Sequence, residues 1–540
     1  MTGEDTTRHF WADEVADEIL AADPAEPIII KGGISPSGVP HLGNANEIVL
    51  GHFVAEVLRD RGLDVRQVFT SDDRDPLRKL PRRLADLDGN LVDLGDVNAG
   101  ALGRNLGRPY TDIPDPFGCC DSYGDHFTRL IADIADQLDI PIDIVSTTAL
   151  YEEGQLDDAI RLLLRDRDRA RDVLEPHQRK VDEDYVPFRP ICENCGKLTE
   201  TVTGVDLDTE QVSYRCTDSE AGNRTIEGCG HEGVAGLRDG KLPWRFEWVA
   251  QWEALGVDFE PFGKDHAEGS WPSGVDIAEA VFDIAPPVPM VYEWFTLEDE
   301  PFSSSAGHVV LVSEVLELVE PEVLRYFFSK DPGKSRDFSI ERIDQLVDEF
   351  DRFEAIYFDE VDGVHENEPV RAKRVYPFLV NTVDPARVRI PYRFAAVLGM
   401  TDDPERHEAI ARKEGHLPAD VPEEAVDAAL ERVDRARRWA ARTDNEFNYR
   451  LARDEIPNVS FDEATNEALD RIADIAASGA DGDELQGAFF RSAEAHDISA
   501  GTLFTAGYQL FLNRSDGPKL GPFLADLDRE FVIRRLRQEA

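Results

Sequence analysis

Apolar and polar positions change period along the chain. Up to about residue 300, short apolar runs alternate with stretches of helical period. Residues 27–30 end in three isoleucines, which predicts a short buried strand. Residues 47–61 carry Ile48, Phe53, Val54, Val57 and Leu58 at helical spacing, and 64–70 read as a second strand. Phe10, Trp11, Val15, Ile19 and Leu20 predict an amphipathic helix within 1–24 that packs on the sheet. Helices at 127–138 and 156–174 flank a strand at 140–146, with the charged stretch 155–185 expected as an exposed hairpin. Residues 359–369 are acidic with Gly and Pro, which predicts a surface loop. Beyond it the period is almost wholly helical: 405–414, 423–442, 462–477, 482–494, 500–512 and 522–536.

The strand and helix at 27–61 enclose a loop rich in Gly, Ser and Pro: K-G-G-I-S-P-S-G-V-P-H-L-G-N, residues 31–44. With the strand at 64–70 this is a βαβ unit, and an open α/β sheet places ligands at such a loop. Free amides at a helix start favour phosphate, and Gly32, Gly33 and Gly38 let a ligand approach the backbone closely. The loop is not a P-loop, because no G-K-[ST] follows, nor is it the G-x-G-x-x-G fingerprint.

Composition narrows the class. At ~150 residues per domain, 540 residues predict three or four domains. No apolar run approaches the ~18 residues of a membrane span. The start, with Glu4 and Asp5, lacks the basic and apolar regions of a signal peptide, so a cytoplasmic location is expected. The net charge is −51, and only eleven of the 58 cations are lysine. Acids spread along the whole chain fit a host with molar internal salt, where an acidic surface maintains solubility. At ~1 M salt the Debye length is only ~3 Å, so the acidity does not exclude an RNA partner.

Of six cysteines, Cys192, Cys195, Cys216 and Cys229 fall in one short segment. A C-x-x-C knuckle followed by two further thiols suits tetrahedral Zn²⁺. Residues 212–215 read as a strand leading to the third ligand, and His231 is either an alternative ligand or a neighbour of one. The segment 184–236 has too few apolar residues for a core of its own, so a metal is expected to hold it together. Cys119 and Cys120 are expected to be packing thiols, since no activating base accompanies them.

The loop 31–44 resembles the HIGH signature of class I aminoacyl-tRNA synthetases, with His41-Leu42-Gly43-Asn44 in its place. The longer string G-I-S-P-S-G-x-x-H-x-G-N is similar to the class I lysyl enzymes in particular. Further blocks match in order: S-D-D-R-D-P-L-R-K at 71–79, P-D-P-F-G-C at 114–119, K-L-P-W-R at 241–245, F-G-K-D-H at 262–266 and G-P-K-L-G-P-F-L at 517–524. The resemblance runs from residue 9 to about 536. It implies an α/β fold: a Rossmann-like parallel sheet with a zinc-ribbon-like insertion, followed by an all-α anticodon-binding region. The implied divisions are 1–175 and 239–300 for the two catalytic halves, 176–238 for the insertion, 301–360 for the KMSKS-like loop and linking helices, and 361–540 for the helical region. Arg432, Arg435, Arg437, Arg438 and Arg442 share one predicted helix with Trp439, as a face for RNA or a solvated face.

The implied activity is activation of lysine by ATP with Mg²⁺, then transfer to tRNA(Lys), by a monomer. The implied ATP-binding residues are Gly33, Ser35, Ser37, His41, Gly43, Asn44, Gly263, Asp265 and His266. Lysine would meet Asp72, Asp73, Trp244, Trp248, His266, Tyr292 and Trp294; Tyr123 and His126 could also line the site. Catalysis would rest on His41, Asn44 and the loop Ser303, Ser304, Ser305. That loop departs from the family. Relatives read K-M-S-S-S-K-G, whereas this chain has Pro301 and Ala306 where the lysines stand. The expected substitutes are backbone amides and hydroxyls, with Lys31, Lys264 or Mg²⁺ carrying charge. The alternatives are a glutamyl-type class I synthetase, against which the blocks around Asp72 and Trp244 argue, and a non-catalytic zinc-bearing RNA-binding protein on the same scaffold.

Overall fold

A computed structural model describes residues 10–539 except 98, 179, 180, 222, 223, 303–308, 402 and 454–456. The serines of the 303–305 loop therefore lie outside the described residues. The chain divides into two compact units. The first comprises Met1–Leu316, Pro321–Ser339 and Phe353–Val383, and the second Glu317–Glu320, Ile340–Arg352 and Asp384–Ala540.

In the first unit the amphipathic N-terminal stretch forms α1 (Trp11–Ala21), which buries Ala12, Ala16 and Ile19. The two strand signals become β1 (Ile28–Ile34) and β2 (Val65–Ser71), paired in parallel from Ile28 opposite Val65 to Ile34 opposite Ser71. The helix between them, α2 (Ala45–Asp60), is buried around most of its circumference, as a helix in the interior of a large domain should be. Next come α3 (Tyr123–Gln137), β3 (Asp143–Ser146), α4 (Thr147–Glu152), α5 (Trp244–Leu255), β4 (Phe259–Gly263) and β5 (Val288–Tyr292). The sheet order is β3-β2-β1-β4-β5, and all four pairings are parallel. This is the doubly wound order, with the chain reversing direction across the sheet between β1 and β4. Ligands bind at that reversal, beyond the carboxyl ends of the strands.

The insertion before α5 carries an antiparallel sheet with Gln211–Arg215 between Val202–Asp206 and Glu232–Gly236. It does not stand apart from the core. Phe188, Val212, Tyr214, Ala235 and Leu237 belong to the same apolar cluster as Leu163, Leu174 and Trp248. The insertion has no core of its own, as expected, but shares one with the helices at 157–174, so a metal is not its only support. Those helices bury Ile160, Leu163, Leu164 and Leu174, so the stretch expected as an exposed hairpin is half core. The predicted surface loop 359–369 ends early, in a helix that starts at Asn367.

The second unit is helical as read. Glu423–Thr443, Glu463–Ala477, Gly482–Ala495 and Ala500–Leu512 match their expected bounds within two residues. Asp462, Asp481 and Ser499 cap three of them by accepting the amide three residues on. The last predicted helix is two, Leu520–Ala525 and Arg529–Leu536, because Asp528 caps a new start. Arg432 does not face RNA or solvent. It is 1 % exposed, and its guanidinium donates to Glu320 (2.6 Å) and bidentately to Asp351 (2.6 and 2.9 Å). Among the described residues no helix is long and apolar enough to cross a membrane.

Candidate active site

The glycine- and serine-rich loop leaves β1 at the sheet's reversal point, as its position in the βαβ unit requires. A cavity of about 530 Å³ opens there, lined by Ser35, Ser37, His41 and Asn44 from the loop. Asp75, Arg78, Lys79 and Tyr110 line its other wall. Tyr123, at the start of α3, donates to the Ser37 carbonyl (3.0 Å) and braces the loop. Gly33 must be glycine, because a Cβ there would lie 2.2 Å from Thr70 Oγ1. Its amide donates to Glu47 on α2 (3.3 Å).

His41 begins the short turn Leu42–Asn44. The Asn44 amide donates to the His41 carbonyl (2.8 Å), and the His41 amide donates to Asn44 Oδ1 (2.9 Å). This reciprocal pair closes the helix start. The imidazole is buried, and burial lowers its pKa to about 4, so it is neutral at neutral pH. Its Nδ1 has no hydrogen-bond partner among the described residues. Phe302, one residue before the serine loop, stacks on the ring at 5.1 Å. Gly43 lies behind the ring, where a Cβ would come within 2.8 Å of it. The two expected motifs thus meet through Phe302.

Across the reversal point, β4 leads into the Gly263, Asp265 and His266 turn. A Cβ on Gly263 would meet Asp265, Trp294 and Tyr292 within 3.5 Å, so these four residues converge as expected. The aromatic wall is also present. Trp244 stacks on Trp248 at 5.0 Å, and His266 lies 5.3 Å from Trp244 and 6.0 Å from Trp248. The two tryptophans are four apart on α5, which puts both on one face. Trp294 is 55 % exposed, at the edge of this group.

Asp72 and Asp73 are buried at the end of β2, and burial raises the pKa of each. Asp72 accepts from Thr147 (3.1 Å) and from Gln251 on α5 (3.2 Å), while Asp73 accepts the Thr148 amide at the start of α4 (2.8 Å). Both aspartates therefore join α4 and α5 to the sheet.

Sequence reasoning missed two carboxylates that organise this site. Glu260, buried on β4, accepts from Lys31 (2.7 Å), Trp248 Nε1 (3.0 Å) and Trp252 Nε1 (2.6 Å). Glu47 accepts from Tyr292 (2.8 Å) as well as Gly33, and burial raises its pKa to about 7. An acid inside an otherwise apolar strand or helix was the signal available for each. Lys31 is thereby neutralised inside the protein, and Lys264 is bound by both oxygens of Glu293 (2.9 and 3.0 Å).

The four expected metal thiols converge. The sulfurs of Cys192, Cys195, Cys216 and Cys229 all lie within 4.8 Å of one another. Cys192–Cys229 is 3.6 Å and Cys195–Cys216 is 3.7 Å. Zn–S bonds of ~2.3 Å in a tetrahedron require S···S edges of about 3.8 Å, so the group fits zinc. Gly196 (φ +72°) makes the knuckle turn. His231 is not among the converging atoms, and its Nε2 pairs with Glu193 (2.8 Å). A second group that could hold an ion was not foreseen, formed by Asp115, Cys119, Cys120 and His126. Cys119 is exposed and Cys120 half-buried, so neither is the packing thiol expected. His126, which could have lined the site, is buried with Nε2 on the Ala85 carbonyl (2.8 Å).

A 3-2-1-4-5 parallel sheet with an H-L-G-N helix start and a cavity at its reversal point fits the class I aminoacyl-tRNA synthetase fold. Comparison with known proteins agrees. The chain belongs to the family described as tRNA synthetases class I (K), whose model matches residues 9–378. A protein of Halobacterium salinarum named lysine–tRNA ligase is 65% identical over 98% of this chain and 97% of its own length. One of the same name from Haloarcula marismortui is 62% identical, over 99% and 98% of the two chains. Another from Pyrococcus horikoshii is 32% identical, over 98% and 99%.

Proposed function

We propose that this chain is a cytoplasmic, monomeric lysine–tRNA ligase that activates lysine with ATP and transfers it to tRNA(Lys). The observation that carries this reading is the H-L-G-N helix start on the cavity beyond β1, with Trp244, Trp248 and His266 packed together on α5 and the turn after β4. The whole-length similarity to proteins of that name supports it. A lysine carboxylate oxygen attacks the α-phosphorus of ATP. The bond to the bridging oxygen breaks, and pyrophosphate leaves with the electron pair. The terminal ribose hydroxyl of tRNA then attacks the lysyl carbonyl, and AMP leaves.

The protein contributes position and charge rather than a covalent nucleophile. Ser35, Ser37, Gly33, Gly43 and Asn44 shape the ATP loop, and the positive end of the α2 dipole favours the phosphates. His41, neutral because of burial, acts as a hydrogen-bonding group and not as a cation. Gly263 and Asp265 face the ribose, where a carboxylate suits hydroxyls. Lysine lies along Trp244, Trp248, His266, Tyr292 and Trp294, with Asp72 and Asp73 at the β2 end. The family resemblance assigns Ser303, Ser304 and Ser305, which lie outside the described residues, to the phosphates. Mg²⁺, when bound, supplies positive charge to the phosphate oxygens. Cys192, Cys195, Cys216 and Cys229 would hold a structural zinc, and the region 361–540 reads the anticodon.

Lysine-dependent ATP–pyrophosphate exchange tests the reading. Exchange is expected with lysine alone, and His41→Ala should lower it by about 100-fold. Exchange with glutamate, or none with either amino acid, would sink it. The zinc is tested by metal analysis: Cys192→Ser with Cys216→Ser should lose one equivalent and lower the thermal midpoint.

A further inference from the structure

The serine loop of this chain has no lysine between Pro301 and Gly307, and His41 is neutral. Lys31 and Lys264 are each held by a glutamate. Departure of pyrophosphate still leaves negative charge that the site must stabilise. Two cations on the wall of the ATP cavity remain uncommitted. Arg78 and Lys79 line it together with Ser37, His41 and Asn44. Neither has a hydrogen-bond or ion-pair partner among the described residues, and both are exposed.

Their surroundings are unusual for this protein. The chain has 109 acids, yet residues 76–85 contain none, and four of the six residues 78–83 are cations. The nearest preceding acid, Asp75, is paired with the buried Lys241 (3.2 Å). Arg83 also lines the cavity but is paired with Asp93 (3.0 Å). The backbone that presents the pair is fixed. Leu77 is buried, its amide donates to the Arg108 carbonyl (2.9 Å), and its carbonyl accepts from Gly107 (2.8 Å).

We propose that Arg78 and Lys79 bind the triphosphate of ATP and supply the charge that the serine loop lacks. This rests on the ligase reading above. Arg78 offers a planar fork and Lys79 a point charge, the usual pairing for phosphate oxygens. They bear on the phosphates as the α-phosphorus–oxygen bond breaks, when charge passes to pyrophosphate. With ATP in the cavity these pairs are partly buried, and molar salt screens partly buried contacts much less than pairs open to solvent.

The experiment is lysine-dependent ATP–pyrophosphate exchange with saturating tRNA, alongside lysine binding by calorimetry. Exchange by the unaltered enzyme decides the ligase reading by itself; the variants decide this proposal. Arg78→Gln with Lys79→Gln should lower kcat/KM for ATP by about 100-fold, with lysine affinity within about twofold. Arg78→Lys with Lys79→Arg should recover most of the loss. Arg82→Gln, a neighbouring cation outside the cavity, should behave as the parent. A folded double variant within about threefold of the parent overturns the proposal. If the KM for tRNA then rises instead, the pair serves RNA. An equal loss in Arg82→Gln also overturns it, since the effect would be a general field. Should the double variant not fold, the single variants are expected at about tenfold each, and two singles within threefold overturn it.

Discussion

Two clusters of cations in this chain read alike in sequence and differ in the fold. One is the arginine-rich helix Glu423–Thr443; the other is the segment 78–83 beside the ATP loop. The helix has acids at Glu431 and Asp434 among its arginines and more brought to it by the fold. Arg432 is consumed by Glu320 and Asp351, and Arg435 is held by Glu431 (3.2 Å). In the segment, a ten-residue gap in acids leaves Arg78 and Lys79 without an ion-pair partner among the described residues, at a cavity. Where acids outnumber bases nearly two to one, a cation is available to a ligand only if the fold keeps carboxylates from it. Clustering alone carries little information.

The largest effect should come from the buried member of the first cluster. Arg432→Met leaves the buried Glu320 and the half-buried Asp351 without their bonded partner, with only the field of Arg389 remaining, which costs about 3 kcal/mol. Denaturant unfolding should show this loss, with exchange per folded molecule unchanged. A loss below about 1 kcal/mol would break the comparison, because water would then serve both carboxylates as well as the arginine does.

Next comes an acid without a bonded cation among the described residues. Glu47 is buried against Gly33 and Tyr292, and its pKa rises from 4.5 to about 7, chiefly through burial. The folded state therefore binds the proton more tightly than the unfolded state. The associated stability is fully present below about pH 4.5 and is lost as pH rises through about 7. At ~1.4 kcal/mol per unit the window spans about 3 kcal/mol. Glu47→Gln should remove that part of the pH slope. Glu247, whose pKa burial also raises to about 7, titrates in both proteins and cancels in the difference. Parallel pH–stability curves for parent and variant would count against the assignment.

Glu260 tests the opposite case, an acid whose cation is fully used. Glu260→Gln keeps the shape but removes the charge that Lys31 and two indole N–H groups share. Hydrogen bonds to a charged group contribute about 1.5–3 kcal/mol, so a loss near 2 kcal/mol is expected. The loosened tryptophan wall should raise the KM for lysine by about tenfold, with the KM for ATP changed less. An equal rise in both would mean that Lys31, once released, disturbs the phosphate loop rather than the wall.

These carboxylates also mark what sequence could and could not supply. The βαβ unit around 31–44 and the thiol set were legible because each is local in period or motif, whereas the aromatic group at 244–294 came only from the family resemblance. Helices of the second unit were legible to within two residues where an Asp or Ser cap follows a polar loop, as at Asp481 and Ser499. The partners of Glu47, Glu260 and Arg432 lie up to 245 residues away in sequence, as Tyr292 does from Glu47, and no periodicity encodes them. Sheet order is equally long-range: β4 joins β1 only after the whole insertion has been threaded. The group Asp115, Cys119, Cys120 and His126 lies within twelve residues. It was missed because mixed oxygen, sulfur and nitrogen donors lack the regular spacing of a C-x-x-C knuckle.

The smallest effect should come from Arg435, one turn beyond Arg432 on the same helix. Its pair with Glu431 is an i, i+4 contact in which the glutamate is largely exposed. Such pairs contribute about 0.3–0.5 kcal/mol at low salt, because water already solvates both charges well and ordering two long side chains costs entropy. Arg435→Gln should therefore lower stability by less than about 0.5 kcal/mol in dilute buffer. In ~1 M KCl, where the Debye length falls to ~3 Å, the difference should vanish. Arg432→Met, measured in the same series, should keep its full loss at both salt concentrations, since salt does not reach a guanidinium that is 1 % exposed. A loss above about 1 kcal/mol for Arg435→Gln, or one that persists in molar salt, would mean that partial burial of the arginine stem sets its worth. Pairing with carboxylates would then not be what separates the two cation clusters.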